Sequence, residues 1–211
     1  EILSGLVGSE MCIRDSQWVA VRQVVDGDTL RLVDGRSVRL IGINAPEIGR
    51  KGRTSEPYAE AARRRLQALV KANDDRVGLV PGVEGKDKYG RTLAHIYSRN
   101  GDNLEAQLLS EGLGYRVAIA PNVRFSGCQQ LAEQVARQAG VGLWRRSPVV
   151  AASDVRQSGF AVVRGRIEGI ERNRGGVWLT LGGTLVLQVP ARLQRNFPAS
   201  FFDNLLSLIH I

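Results

Sequence analysis

The chain has 211 residues, 43% of them hydrophobic, which suits one domain, or one domain and a small second one, with a buried core. No stretch approaches the roughly 20 apolar residues of a membrane-spanning helix, and Cys12 and Cys128, the two cysteines, have no neighbour at metal-ligand or redox spacing, so no disulfide framework is implied. Lys and Arg number 29 against 21 Asp and Glu, a net charge of +8, which fits a polyanionic partner and equally a solvated basic surface.

The opening EILSGLVGSEMCIRDS carries neither the basic-then-apolar pattern of an export signal nor a helix or strand period. Residues 1–16 and 205–211 read as a non-native leader and tail outside the fold. The natural N-terminus is then expected to be missing, which leaves localisation open, a secreted or periplasmic destination included.

From Trp18 the runs WVAVRQVV, TLRLV and SVRLIGI alternate as three antiparallel strands, separated by DGD at 26–28 and DG at 34–35. A basic loop, IGRKGRT, leads to a helix from about Ser55 to Asn73, with Ser55 as cap and Ala59, Ala62, Leu66, Leu69 and Val70 as its apolar stripe. Arg63, Arg64 and Arg65 flank that stripe as a solvated face. VGLV reads as a fourth strand, VEGKDKYG as a charged loop, and RTLAHIYS as a fifth strand in which His95 is expected to be structural rather than a ligand. A second helix is capped by Asp102, buries Leu104, Leu108 and Leu109, and ends at Gly112. A third spans Ser126 to Ala139, with Ser126 and Gln129 at capping-box spacing, Leu131, Ala132, Val135 and Ala136 inward, and Gly140 as its stop.

These elements predict an α+β class built on a five-stranded OB-type β-barrel with three helices over residues 17–147. Residues 148–158 read as a linker. GFAVVRGRIEGIE, GVWLTL and TLVLQVP then predict a small, incomplete β-rich, OB-like module over 159–204. It reads equally as a single-strand-binding surface and as an extra sheet without a binding role.

Three stretches carry unusual polar groups: DGDT with Asp26 and Asp28, RLIGINAPE with Arg39, Asn44 and Glu47, and DKYGRTLAHIY with Arg91. Arg39 shares strand parity with Ile41 and Ile43, so a guanidinium ends an otherwise apolar face and needs an anion nearby. Antiparallel pairing can bring the oxygens of Asp28 and Asn44 together, and such oxygens suit a hard cation, Ca²⁺ more easily than Mg²⁺. A carboxylate to deprotonate water, with guanidinium groups to meet phosphoryl charge, is what phosphodiester cleavage requires, and Glu47, Arg39 and Arg91 match by type. Asp26 reads as a turn aspartate bonded to local backbone. Arg50, Lys51 and Arg53 either track a nucleic-acid backbone or keep a loop soluble.

Together VVDGDTLRL, VRLIGINAPE and DKYGRTLAHIY resemble the thermonuclease, or staphylococcal-nuclease-like, family from about Val19 to Trp144. The resemblance implies a calcium-dependent endonuclease and exonuclease on DNA and RNA that leaves 3′-phosphates, without a membrane partner and monomeric. It implies Arg39, Glu47 and Arg91 as catalytic residues, Asp28, Asn44 and the Ala45 carbonyl as Ca²⁺ ligands, and Lys88, Tyr89 and Tyr115 as substrate contacts. Two departures stand out. Asn44 replaces an aspartate of the best-known members, and Ile119 and Ala120 stand about where stacking tyrosines are often found. The alternative is a non-catalytic nucleic-acid-binding module with a weakened metal site.

Overall fold

The computed structural model describes residues 17–49, 52–156, 158–183, 185–198, 200–202 and 205. Residues 1–16 and 206–211, most of the expected leader and tail, lie outside that set, as do Arg50 and Lys51. The chain divides into two compact units, residues 1–146 and 147–211.

In the first unit, β1 (Gln17–Val24), β2 (Thr29–Leu32) and β3 (Ser37–Leu40) form the expected antiparallel meander. β5 (Arg76–Lys86) and β6 (Thr92–Tyr97) complete a closed barrel in the order β1-β2-β3-β6-β5, with β3 and β6 parallel. A two-residue strand β4 (Ile43–Asn44) pairs with β7 (Tyr115–Arg116) outside the barrel. Three helices pack around it: α1 (Ala59–Lys71), α2 (Leu104–Ser110) and α3 (Ser126–Ala139). The five-stranded barrel with three helices is therefore as the pattern predicts. Its core joins Val38, Leu40, Leu66, Ile96, Leu104 and Leu108.

Several local expectations give way to tertiary context. α1 starts later than the Ser55 cap implies, because Tyr58 takes a left-handed backbone (φ 68) and no side chain caps it. α2 is capped by Asn103, whose side chain accepts from the Ala106 N–H at 2.7 Å, rather than by Asp102. α3 has no side-chain cap. Gln129, expected in a capping box, is buried and donates to the Ile41 carbonyl at 3.0 Å, locking the strand end to the helix. That rotation of α3 turns Ala132 and Ala136 inward but leaves Leu131 54% and Val135 45% exposed, against expectation. VEGK, expected as a loop, continues β5 beyond a register shift between Pro81 and Lys86, where proline cannot donate to the ladder.

In the second unit, β10 (Ile167–Asn173), β11 (Gly176–Leu181) and β12 (Leu185–Pro190) form an antiparallel sheet, followed by a short helix α4 (Ala191–Gln194). β8 (Val149–Ala151), within the stretch read as a linker, pairs parallel with β9 (Val162–Arg164). Val177, Leu179, Leu181 and Phe202 form a separate small core, against which Leu205 packs although its position was assigned to the tail.

Candidate active site

The turn after β1 places the first two carboxylates. Asp26 is buried, and its Oδ1 accepts the Asp28 N–H at 3.1 Å, the backbone-bonded turn aspartate expected from DGDT. Asp28 is buried too. Its Oδ1 accepts from Thr29 Oγ1 at 3.0 Å and its Oδ2 from the Ala45 N–H at 2.8 Å, so the turn is stitched to the segment after β4. Gly27 has no room for a side chain there, since a Cβ would collide with Ala45 and Ala62.

Arg39 leaves β3 on the face opposite Val38 and Leu40, which point into the barrel core. The strand does not run on to Ile43 as the parity argument assumes. Gly42, at φ 86, breaks it, and Ile43 re-enters the core by itself. The turn this creates supplies acceptors for the guanidinium. Nη1 donates to the carbonyls of Leu40 and Ile43 at 2.6 and 2.8 Å, while Nη2 lies 3.1 Å from Asp28 Oδ2 and 3.3 Å from Asn44 Oδ1. Asp28 and Asn44 thus both contact one cationic nitrogen.

Burial pushes the Asp28 carboxyl up to about 6, with the charge of Asp26 adding to it, while Arg39 and the Ala45 and Thr29 hydrogen bonds oppose. An ionised Asp28 is thus only partly compensated, and its surroundings favour additional positive charge. Among the described residues no three His, Cys, Asp or Glu side chains gather on a metal-sized spot. A cation here would rest on one carboxylate and the Asn44 amide oxygen, completed by backbone oxygen and water, a donor set that suits a hard ion. Ala45 meets Asp28 through its N–H; its carbonyl is the remaining candidate donor.

Glu47 follows the buried Pro46 on an irregular segment and is itself exposed. It shares an open groove of about 880 Å³ with Arg91, Asp26, Thr29, Arg53 and Glu56. Residues 44 positions apart in the chain, Glu47 and Arg91, are thereby brought to one concave surface. Arg91 is held from behind by Asp87. Its Nε donates to Asp87 Oδ2 at 2.7 Å and its backbone N–H to Oδ1 at 2.9 Å, fixing the turn before β6. Together with the Tyr89 N–H, these bonds hold the Asp87 carboxyl below its usual range against the cost of its burial.

The expected substrate contacts divide. Tyr89 is 72% exposed, with Lys88 Nζ 5.0 Å and the Arg91 guanidinium 5.6 Å from its ring centroid, so all three form one basic, aromatic corner. Tyr115 instead pairs with Asn44 in the β4–β7 ladder and sets its ring edge-on against Trp144, 5.7 Å away. Burial raises its phenol, and the charges of Glu56 and Glu133 raise it further. Ile119, an aliphatic side chain, is 70% exposed. His95 is buried beside Glu105 (Nδ1 to Oε1, 3.3 Å) and edge-on to Phe125, away from the groove-lining set.

Sequence reasoning missed Glu56 and Arg31, which also line the groove, and Asp87, which braces Arg91. Glu56 is masked by its neighbours, because SEP before an apolar stripe reads as a helix start. Arg31 sits in a strand of ordinary alternation. Asp87 alone offered a signal, an Asp four residues before the singled-out arginine.

The staphylococcal nuclease homologue family matches residues 37–146, just over half of the chain. The chain is 34% identical to a thermonuclease of Staphylococcus intermedius over 130 residues, covering 60% of this chain and 75% of that protein. It is 32% identical to Endonuclease YncB of Bacillus subtilis over 137 residues, or 63% and 64%. A probable endonuclease LCL3 of Podospora anserina is 30% identical over 117 residues, spanning 51% of this chain and 41% of that protein. The chain thus covers less than two thirds of the Bacillus and Podospora relatives. With the family match running from β3 through Trp144, over the strands and turns that carry Arg39, Asn44, Glu47 and Arg91, the chain belongs to the staphylococcal nuclease homologue family.

Proposed function

We propose that this protein hydrolyses phosphodiester bonds in DNA and RNA, cutting internally and from ends to leave 3′-phosphates, with Ca²⁺ as its cofactor. The observation that carries the reading is the meeting of Glu47 and Arg91 in one open groove whose wall includes Asp26 and Thr29, from the same turn as Asp28. Named endonucleases and thermonucleases among the relatives support the same class of chemistry.

Glu47, solvent-facing, takes the proton from an attacking water. Arg91 offers its guanidinium N–H groups to the phosphoryl oxygens as charge builds on them, whereas Arg39, whose Nη1 stays on the Leu40 and Ile43 carbonyls, reaches the phosphate by exchanging the Nη2 contacts with Asp28 and Asn44 for it. Asp28, Asn44 and the Ala45 carbonyl would hold the calcium ion, which supplies additional positive charge at the phosphate. Lys88 and Tyr89 receive the neighbouring phosphate and base, where stacking is worth about 1–3 kcal/mol per base. The exposed aliphatic Ile119 supplies none of that, so substrate binding is weaker without any change in the chemistry. The net charge of +8 draws the polyanion in.

The test is hydrolysis of linear and plasmid DNA and of RNA with calcium, with chelator, and with Glu47→Gln. The expected result is cleavage that stops in chelator and falls at least 100-fold in the variant. Activity that survives both treatments overturns the reading. Salt-sensitive binding without hydrolysis at any calcium concentration would favour the non-catalytic binding module instead.

A further inference from the structure

Glu47 sits where the chain has least regular structure to hold it. Pro46 before it has no N–H, and the described residues of this segment, 45–49 and 52–57, contain no helix or strand. Both backbone hydrogen-bonding groups of Glu47 are nevertheless satisfied, and by a single residue. Its N–H donates to Glu56 Oε2 at 2.9 Å, and its carbonyl accepts the Glu56 N–H at 2.9 Å. Inside this pair the Gly49 N–H donates to Ser55 Oγ at 3.1 Å, a second rung across the neck of the same loop.

The far end of the neck is equally constrained. Pro57 follows Glu56, and Tyr58 takes the left-handed conformation that turns the chain into α1, whose Ala59, Ala62 and Leu66 are fully buried. Glu56 stands three residues before that helix, and its carbonyl accepts the Ala59 N–H at 3.1 Å, so it is tied to an element that cannot shift without disturbing the core and passes that position to Glu47. Both side chains line the same groove, while the Glu56 charge reaches the Tyr115 phenol, the residue paired with Asn44.

We propose that Glu56 is a positioning residue for the reaction: its carboxylate and N–H clamp the Glu47 backbone and so fix where the Glu47 carboxylate stands in the groove. The inference rests on the hydrolytic reading above. Glu56 does not itself exchange a proton with substrate or water; the negative charge serves only as a strong acceptor for one N–H. An amide oxygen can take its place.

The experiment compares the full chain with Glu56→Gln and Glu56→Ala, measuring kcat, KM for DNA, the pH profile and exchange of the Glu47 amide hydrogen. A misplacement of about 1 Å at a reacting group costs on the order of 100-fold. Glu56→Ala is therefore expected to lower kcat roughly 10- to 100-fold, with KM within about twofold and the profile unmoved, and to expose the Glu47 amide to exchange. Glu56→Gln, which keeps an acceptor oxygen, is expected to restore kcat to within about threefold of the parent and to protect the amide. Equal losses in the two variants, or a profile displaced in Glu56→Gln, would mean that the charge acts directly and overturn the proposal. So would full activity in Glu56→Ala. A parent chain that fails to cleave nucleic acid under any condition sinks the hydrolytic reading itself. The amide exchange then still reports whether the clamp exists, so the two failures are distinguishable.

Discussion

Arg39 of β3 and Asp28 of the turn before β2 form a largely buried ion pair in which one guanidinium nitrogen lies 3.1 Å from the carboxylate and 3.3 Å from the Asn44 amide oxygen. One cationic nitrogen thus touches both side chains expected to ligate calcium, and the charge balance of that spot is the handle for the first two predictions.

The Asp28 carboxyl stands at about 6, above its ordinary 3.8, mainly because it is buried. The neutral form is therefore favoured by folding: its contribution to stability is fully present below about pH 3.8 and is lost as pH rises through about 6. Asp28→Asn lacks this loss. In chelator, the stability of the variant relative to the parent is expected to climb between pH 4 and 6 and level off above, measured by urea unfolding. A difference that stays flat across that range contradicts the assigned burial effect. Calcium at neutral pH is expected to stabilise the parent more than the variant.

Restoring the charge at the amide, Asn44→Asp, adds an anionic oxygen beside Asp28. More ligand charge tightens calcium binding. Half-maximal activity is expected at several-fold lower calcium, and the calcium-induced rise in Tm is expected to grow. If neither constant moves, residue 44 does not contact the ion.

Arg91 is braced by Asp87, so its guanidinium reaches the groove in one orientation. Arg91→Lys keeps the charge but loses the planar fork and the Nε bond to Asp87. A kcat loss on the order of 100-fold at saturating calcium is expected, as for removal of one preorganised donor. Asp87→Asn, which keeps an oxygen for the Tyr89 and Arg91 amides, is expected to cost less than tenfold. A reversed ranking would place the function in Asp87 itself.

On the stability side, Leu104 and Leu131 separate two kinds of apolar helical position. Leu104 is fully buried in the barrel core, so Leu104→Ala is expected to cost about 2–5 kcal/mol by denaturant unfolding. Leu131→Ser is expected to stay within about 0.5 kcal/mol, because that side chain is 54% exposed. Comparable losses would mean that α3 is rotated from the orientation described.

Much of the architecture is readable locally. Period-two alternation places β1, β2 and β3, and the stripe Ala59, Ala62, Leu66, Leu69 and Val70 of α1 is buried residue for residue. The readings that miss share one cause. Ser55 and Asp102 are good caps by type, but helix starts here are set by where the chain leaves the barrel, through Tyr58 and Asn103. Leu131 and Val135 fit an inward stripe until Gln129 docks on Ile41 and fixes the rotation of α3. In the candidate site the motif residues Arg39, Glu47 and Arg91 stand out by chemical type, whereas Glu56 and Asp87 do not. Their value lies in what they hold: Glu47 in one case and Arg91 in the other, the first from nine positions along the chain.

Strand and helix periodicity, turn glycines and the identity of the reactive side chains are written into neighbouring residues, because backbone preference and amphipathic pattern act over a few positions. Which carboxylate is buried, which guanidinium nitrogen lies between Asp28 and Asn44, and which residue clamps Glu47 arise only when the barrel closes. Desolvation and hydrogen-bond geometry depend on groups that the chain separates by tens of residues and packing brings within about 3 Å.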